Sequence, residues 1–170
     1  MPCNQVLSGI PRDCEGSIGG VKRVLFINHD ALGKVTVNEE TGVVTAIEAV
    51  GKFQEYIPKK NTASFAPALT VGDGDNRSYT ATLVLNFGKM TAAKRVSVLP
   101  LLANELAAVV EDNNGVYWLV GKDIPLQATE GGGNTGTAMT DANAYTVTMT
   151  DMSMTLHPTV DPTIVEGLLG

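Results

Sequence analysis

The stretch Arg77-Ser78-Tyr79-Thr80-Ala81-Thr82-Leu83-Val84-Leu85-Asn86-Phe87 decides the fold. Tyr79, Ala81, Leu83, Leu85 and Phe87 fall at every second position, and Ser78, Thr80, Thr82 and Asn86 occupy most of the positions between them. Successive side chains of an extended chain point to opposite faces. The run therefore predicts a strand with one apolar face for a core and one small, polar face for water.

Outward from this strand the pattern repeats. Gly72-Asp73-Gly74-Asp75-Asn76 is dense in turn residues and joins it to a candidate strand over 63–71. Pro67 cannot donate to a ladder and demotes that strand to an edge or an interrupted one. Further upstream, Val24-Leu25-Phe26-Ile27 is a continuous β-prone run within 21–28, as expected of a strand buried on both faces. Residues 34–38 and 43–50 read as two strands joined through Glu39-Glu40-Thr41-Gly42, and 53–57 as another strand, broken by Pro58.

Downstream, 91–106 carries the helical pattern. Thr91 suits the N-cap, and Val96, Leu99, Leu102 and Leu106 recur at helical spacing, with Pro100 expected to kink or split the helix. Strands 107–111 and 116–120 follow, joined by Asn113-Asn114-Gly115; Asn-Gly between apolar runs is a specific hairpin cue. Residues 130–140 read as a Gly/Thr loop, and 145–156 as a closing strand. In that strand Tyr145, Val147 and Met149 share one face, but beyond Asp151 the apolar set moves to Met152, Met154 and Leu156, a phase change that predicts a bulge or bend. The sum is an α+β chain dominated by antiparallel sheet, with one helix. An irregular N-terminal arm over 1–20, a single β domain over 21–158 and a C-terminal tail over 159–170 complete the organisation.

Composition narrows the function. The 170 residues include 12 basic and 18 acidic ones, a net charge of −6, and the basic residues are scattered, with Lys22-Arg23, Lys59-Lys60 and Lys94-Arg95 the adjacent pairs. Nothing resembles the basic stripe that replaces counterions on a phosphate backbone, so DNA is expected to be repelled. No apolar run approaches the roughly 20 residues of a membrane span. The opening Met-Pro-Cys-Asn-Gln lacks the basic and apolar regions of a signal peptide, so Cys3 and Cys14 are expected to be reduced, and Asn76-Arg77-Ser78 to match a glycosylation sequon by chance.

Constellations that carry chemistry are not evident. Counting from Asp73 as the first position of a calcium loop, the sixth is Ser78 where Gly is needed and the twelfth is Val84 where Glu is needed, so a turn explains the segment better. Gly131-Gly132-Gly133 lacks the Lys-Ser/Thr of a phosphate loop. His29 and His157, the two histidines, sit in no ligand spacing and beside no nucleophile motif. Glu105 is expected to be solvated and Glu111-Asp112 to end a strand. Trp118 reads as a packing residue, and Met149, Met152 and Met154 as fillers of irregular core or subunit-contact space. Neither catalysis, nor a cofactor, nor a metal is expected.

The second half of the chain resembles phage tail-tube-like proteins, particularly those of phages and prophages of the Bacteroides group. The likeness rests on Lys94-Arg95-Val96 and Leu101-Leu102 in the helix, on the hairpin from Ala108 to Gly121, on Thr135-Gly136, and on Ala144-Tyr145-Thr146-Val147-Thr148-Met149-Thr150. Gly19-Gly20-Val21-Lys22-Arg23-Val24 is similar to the family's entry into its first strand, and the resemblance spans most of residues 19–160. It implies a β-sandwich or half-open barrel with a flanking helix. It also implies a virion protein whose copies, typically six, form a ring with one continuous inner barrel, the rings stacking into a tube. The expected partners are then further copies of the chain and other tail or connector proteins, with DNA passing through the lumen without adhering and no membrane involved. On this reading Ser78, Thr80 and Thr82 face the lumen. The loops Pro58-Lys59-Lys60-Asn61-Thr62 and 72–76, with Asp73, Asp75 and Asn76, stack ring on ring, and the terminal segments order on assembly. Three alternatives remain open at the level of sequence: a head–tail connector ring of the same fold, a monomeric β-sandwich binding module, and a hydrolase with one of its histidines in a cleft beside an acid.

Overall fold

The computed structural model describes residues 6–170, so Cys3 and its pairing with Cys14 lie outside the described residues. In chain order the elements are β1 (Val21–Asn28), β2 (Leu32–Val37), β3 (Val43–Ala49), β4 (Gln54–Tyr56), β5 (Ser64–Val71), β6 (Arg77–Gly88), α1 (Ala92–Ala103), β7 (Leu106–Asp112), β8 (Tyr117–Val120), β9 (Gln127–Asn134), β10 (Ala144–Ser153), β11 (Thr159–Val160) and α2 (Pro162–Leu168). They form two sheets. The larger has the order β2-β3-β11-β8-β7-β1-β4, and the smaller β5-β6-β10-β9.

The sheets face each other across a core in which Ala81, Leu83 and Leu85 of β6 and Val147 and Met149 of β10 meet Val24 and Phe26 of β1 and Ala108 and Val110 of β7. Helix α1 closes one flank of this core through Val98 and Leu101. A second core occupies the opposite face of the larger sheet, where Leu25, Ile27, Val109 and Leu119 pack with Val44, Phe53, Val160 and Val165 of α2. Residues 24–27 thus alternate between two cores, and all four are buried. That is the physical reason the run is apolar without a break. The architecture is a mainly β, sandwich-like α+β fold.

Four expectations are corrected. The helix ends at Ala103, and Leu106 begins β7. Thr91 caps it by accepting from the Lys94 N–H at 3.2 Å, and the helix continues through Pro100, whose ring falls in the last turn. Its inward face is Val98 and Leu101, whereas Val96 and Leu99 are exposed.

The Gly/Thr segment is strand β9 as far as Asn134, paired with β10. Its glycines hide it from propensity rules, but they have a packing cause. A Cβ at Gly131 would run into the Leu102 side chain of α1, and one at Gly133 would lie 2.5 Å from Met90 Cε. Glycine lets α1 lie directly on this strand.

Strand β10 has no phase change. It pairs with β6 without interruption from Ala144–Gly88 to Ser153–Tyr79. Val147, Met149, Asp151 and Ser153 are all buried on one face, and Met152 lies on the exposed one. An acid sits where the alternation calls for an apolar residue.

Residues 159–170 are part of the domain rather than a tail. β11 inserts between β3 and β8, and α2 caps the second core. α2 starts at Asp161, whose carboxylate accepts the Thr163 N–H at 2.9 Å, with Pro162 at its first position.

An ionic cluster ties α2 to the larger sheet. Arg23 of β1 donates from Nε to Glu111 of β7, and its terminal nitrogens reach Glu166 of α2 at 3.2 Å and Glu55 of β4 at 3.5 Å. Lys22 Nζ lies 3.1 Å from Glu111 as well. The Glu111 side chain is 5% exposed. Burial alone would push its carboxyl up, but hydrogen bonds from Arg23 and Lys22 outweigh this and hold it below the ordinary value of 4.5. A carboxyl depressed by folding contributes stability above its unfolded value and loses it as pH falls through its folded value. Glu111→Gln should therefore cost about 2 kcal/mol at pH 7 by urea unfolding, and the difference from wild type should shrink steadily below pH 4.5. A difference that stays constant into acid would contradict this account of Arg23 and Glu111.

Candidate functional site: the outer face and open edges of the small sheet

The outer face of the four-stranded sheet follows from its register. Ala66, Thr82, Thr150 and Gln127 form one row across β5, β6, β10 and β9; Ser64, Val84, Thr148 and Glu130 form the next. Ala68, Thr80 and Met152 continue on one side, Asn86, Thr146 and Gly132 on the other, and Thr70 and Ser78 lie towards the hairpin. Glu130 is the one charged residue in these rows. Thr, Ser and Ala make up most of the rest, with Val84, Asn86, Gln127 and Met152 between them, and no row carries a cation. Ser78, Thr80 and Thr82 all lie on this face, opposite the buried Ala81, Leu83 and Leu85.

Both margins of this sheet are open. β5 pairs with β6 and β9 with β10, and neither has a strand on its other side among the described residues. β5 carries no charged residue over its 8 residues, and Pro67 removes one of its donors. β9 bulges at Thr129, where the register shifts between Thr148 and Met149.

The structure places the two loops singled out from sequence at opposite ends of β5, about 26 Å apart for 8 strand residues. Pro58, Lys59, Lys60, Asn61 and Thr62 lie where β6 ends. The Lys59 N–H donates to Asn86 O at 2.7 Å, and the Thr62 N–H to Lys59 O at 3.3 Å. Asn61 takes a left-handed φ of 62° to close the turn. Asp73, Asp75 and Asn76 lie at the other end, in a turn where Asn76 Nδ2 donates to Asp73 O at 3.1 Å and Asp75 meets Arg77 at 3.6 Å. One loop therefore carries exposed lysines and the other exposed aspartates.

Sequence reasoning missed the pair formed by Asp151 and His157. His157 Nε2 lies 2.9 Å from both carboxylate oxygens of Asp151, and the two side chains are 2% and 1% exposed. Oδ1 also accepts the Ala81 N–H at 3.1 Å, and Oδ2 the Gly121 N–H at 2.8 Å. Phe65 packs against the imidazole edge-on, with ring centroids 6.1 Å apart. Gly121 is needed there: its φ is +77°, and a Cβ would stand 2.6 Å from Leu106 O. The pair thus clamps β6, β10 and the end of β8, its carboxylate oxygens bonded to backbone and its ring shut away from solvent. The readable signal was the acid in phase with Val147 and Met149, with the only nearby histidine 6 residues on. His29 instead hydrogen-bonds through Nδ1 to Gly121 O at 2.9 Å.

Trp118 packs against Phe65, with centroids 6.0 Å apart, and donates from Nε1 to Asp112 at 3.3 Å. Met149 is fully buried, but Met152 and Met154 are exposed. Glu105 is exposed and accepts from Gln127 Nε2 at 2.7 Å.

Asp151→Ala strands two buried N–H groups and a buried imidazole, so it should destabilise the fold by roughly 3–5 kcal/mol in urea unfolding. Asp151→Asn, which keeps an acceptor, should lose less. A loss below about 1 kcal/mol for the alanine variant would contradict the clamp.

Comparison with known proteins adds no assignment: no protein family matches the chain, and no curated protein or solved structure was found to match it.

Proposed function

We propose that this chain is a non-catalytic virion protein, a subunit of a phage tail tube, whose small sheet joins those of neighbouring copies into a barrel around a DNA channel. The observation that supports this most is the combination found in one sheet. Its outer face is mostly Thr, Ser and Ala, Ser78, Thr80 and Thr82 among them, with Glu130 the one charged residue in its rows, and among the described residues both of its edges are unpaired. An open edge is an invitation to another strand, and closure into a barrel removes it.

The dimensions agree. Six copies of a four-stranded sheet make a barrel of 24 strands. With strands about 4.8 Å apart and tilted about 40°, such a barrel is roughly 50 Å across at the backbone. Small side chains on its inner face leave a channel that a DNA duplex can enter. A net charge of −6 and the scarcity of cations on that face favour passage over adhesion.

Stacking has a chemical basis as well. Lys59 and Lys60 at one end of β5 and Asp73 and Asp75 at the other would meet when rings stack head to tail. A heterologous contact of this kind propagates instead of closing on itself. The buried state of His157 and Asp151 supports the non-catalytic reading, since a general base must reach its substrate.

Negative-stain microscopy of the purified protein, with mass measurement, tests the proposal. Rings of about six copies or stacked tubes are expected, and removal of residues 58–62 with shortening of 72–76 should leave rings that do not stack. A stable monomer at high concentration would overturn the reading; isolated rings of the intact chain would favour a connector.

A further inference from the structure

The hairpin of β5 and β6 overhangs the rest of its sheet. Pairing of β10 with β6 stops at Tyr79, so the turn over 72–76 and Arg77 behind it have no third strand beside them. Residues 68–77 are all exposed. Leu69 and Val71 lie on the face that, nearer the start of β5, packs Phe65 against the core, yet they are 52% and 56% exposed. The tip also carries charge: Asp73, Asp75 and Arg77, the last meeting Asp75 at 3.6 Å. Both members of that pair are well exposed, so it contributes little and exchanges readily for another partner.

The opposite end of the same sheet holds a cleft of about 490 Å³. It lies among Asn86 near the end of β6, Thr146 near the start of β10, Asn134 at the end of β9, and Thr137 and Asp141 of the loop that follows β9. Asn134, Thr137, Asp141 and Thr146 are exposed, so this lining is open to contact. The Ala138 and Thr137 N–H groups donate to Asp141 Oδ2 at 2.7 and 2.8 Å, which holds the carboxyl below its ordinary value of 3.8 and keeps it ionised at neutral pH. Its Oδ1 accepts no hydrogen bond among the described residues. Exposed Lys59, Lys60 and Lys89 belong to the same end, where the Lys59 N–H donates to Asn86 O and the Lys89 N–H to Asn143 O. Two aspartates and an arginine at one end of the sheet are thus matched in sign by three lysines and an aspartate at the other.

We propose that the β5–β6 hairpin of a copy in one ring docks at this cleft in a copy of the next ring, the Arg77 guanidinium donating to Asp141 Oδ1 while Asp73 and Asp75 lie among the lysines. The hairpin cannot reach its own cleft: Arg77 opens β6 and Asn86 stands nine residues on, about 30 Å along a continuously paired strand. Nor do copies side by side in one ring bring the two together, since their hairpins share one rim and their clefts the other. Displacement along the strands does so, and because each copy carries one hairpin and one cleft at opposite ends, the contact repeats without closing. A guanidinium suits the site, its fixed fork of donors matching a carboxylate that two backbone N–H groups hold in place. Complementary charge of this kind fixes which surfaces meet and in what register. The inference rests on the proposed tube and names the socket that takes each hairpin.

Disulfide trapping tests it with Arg77 and Asp141 left in place. A chain carrying Cys3→Ser and Cys14→Ser receives Asn76→Cys on the hairpin and Thr137→Cys in the cleft, and is oxidised after assembly. A ladder of linked chains, longer than pairs, is expected on a non-reducing gel, and neither cysteine alone should produce it. The ladder should be lost with Arg77→Glu and kept with Arg77→Lys. Stacked tubes without the ladder, a ladder from either cysteine alone, or one indifferent to Arg77→Glu would overturn the docking and leave the tube reading standing. Linked pairs and nothing longer would overturn it in favour of a closed dimer. A link within one chain would overturn it by seating the hairpin on its own body. Isolated rings or a monomer, unlinked, would overturn the docking and the tube reading together.

Discussion

Unpaired backbone at the margin of a sheet is the constraint on which the rest of this molecule turns. Along β5 and β9, N–H and C=O groups face outward with no strand among the described residues to meet them. In a monomer, water must satisfy these groups, and a long edge of low charge remains a template for another strand. β5 has no charged residue to discourage pairing, and β9 has only Glu130. Each edge does carry one irregularity, Pro67 in β5 and the bulge at Thr129 in β9. Such features limit where a partner strand can pair, and so help to fix one register.

The two sheets have different duties because they are covered differently. The larger one is packed on both faces in its centre, by the small sheet and α1 on one side and by α2 on the other. The Arg23–Glu111–Glu166 cluster fastens that second layer. The small sheet is packed on one face alone, and its other face is mostly Thr, Ser and Ala. A sheet held rigidly from behind, wet in front and open at both sides fits the proposed part in a larger barrel. The clamp made by Asp151 and His157 matters for the same reason. It locks β6 and β10, the central strands, to the turn after β8, so the open edges are carried on a fixed frame.

Most of this was legible where one physical signal dominated. The alternation from Tyr79 to Phe87 gave β6 and its two faces, Asn114-Gly115 gave the β7–β8 hairpin, and the unbroken apolar run 24–27 gave a strand between two cores. Reading failed where local chemistry served a distant neighbour. Gly131 and Gly133 look like loop residues until the approach of Leu102 and Met90 is seen. Asp151 broke the apolar pattern of β10 because its partners, Ala81, Gly121 and His157, come from elsewhere in the chain. Val96 and Leu99 suggested the wrong buried face for α1, since the true one, Val98 and Leu101, is set by where the core lies. The segment after Pro158 was too short to announce β11 and α2, which owe their order to tertiary packing. For the candidate site, the polar face of β6 was readable, but the open edges were not, because pairing partners are a property of topology.

Hydrogen exchange at the amides of β5 and β9, compared between dilute protein and protein concentrated until it associates, tests the central claim most directly. The account predicts that the outward-facing amides of both strands exchange freely in the monomer and become protected together on association, while those of β6 and β10 are protected throughout. Outward-facing amides that are already protected in the monomer, or that still exchange freely in the associated protein, would contradict it.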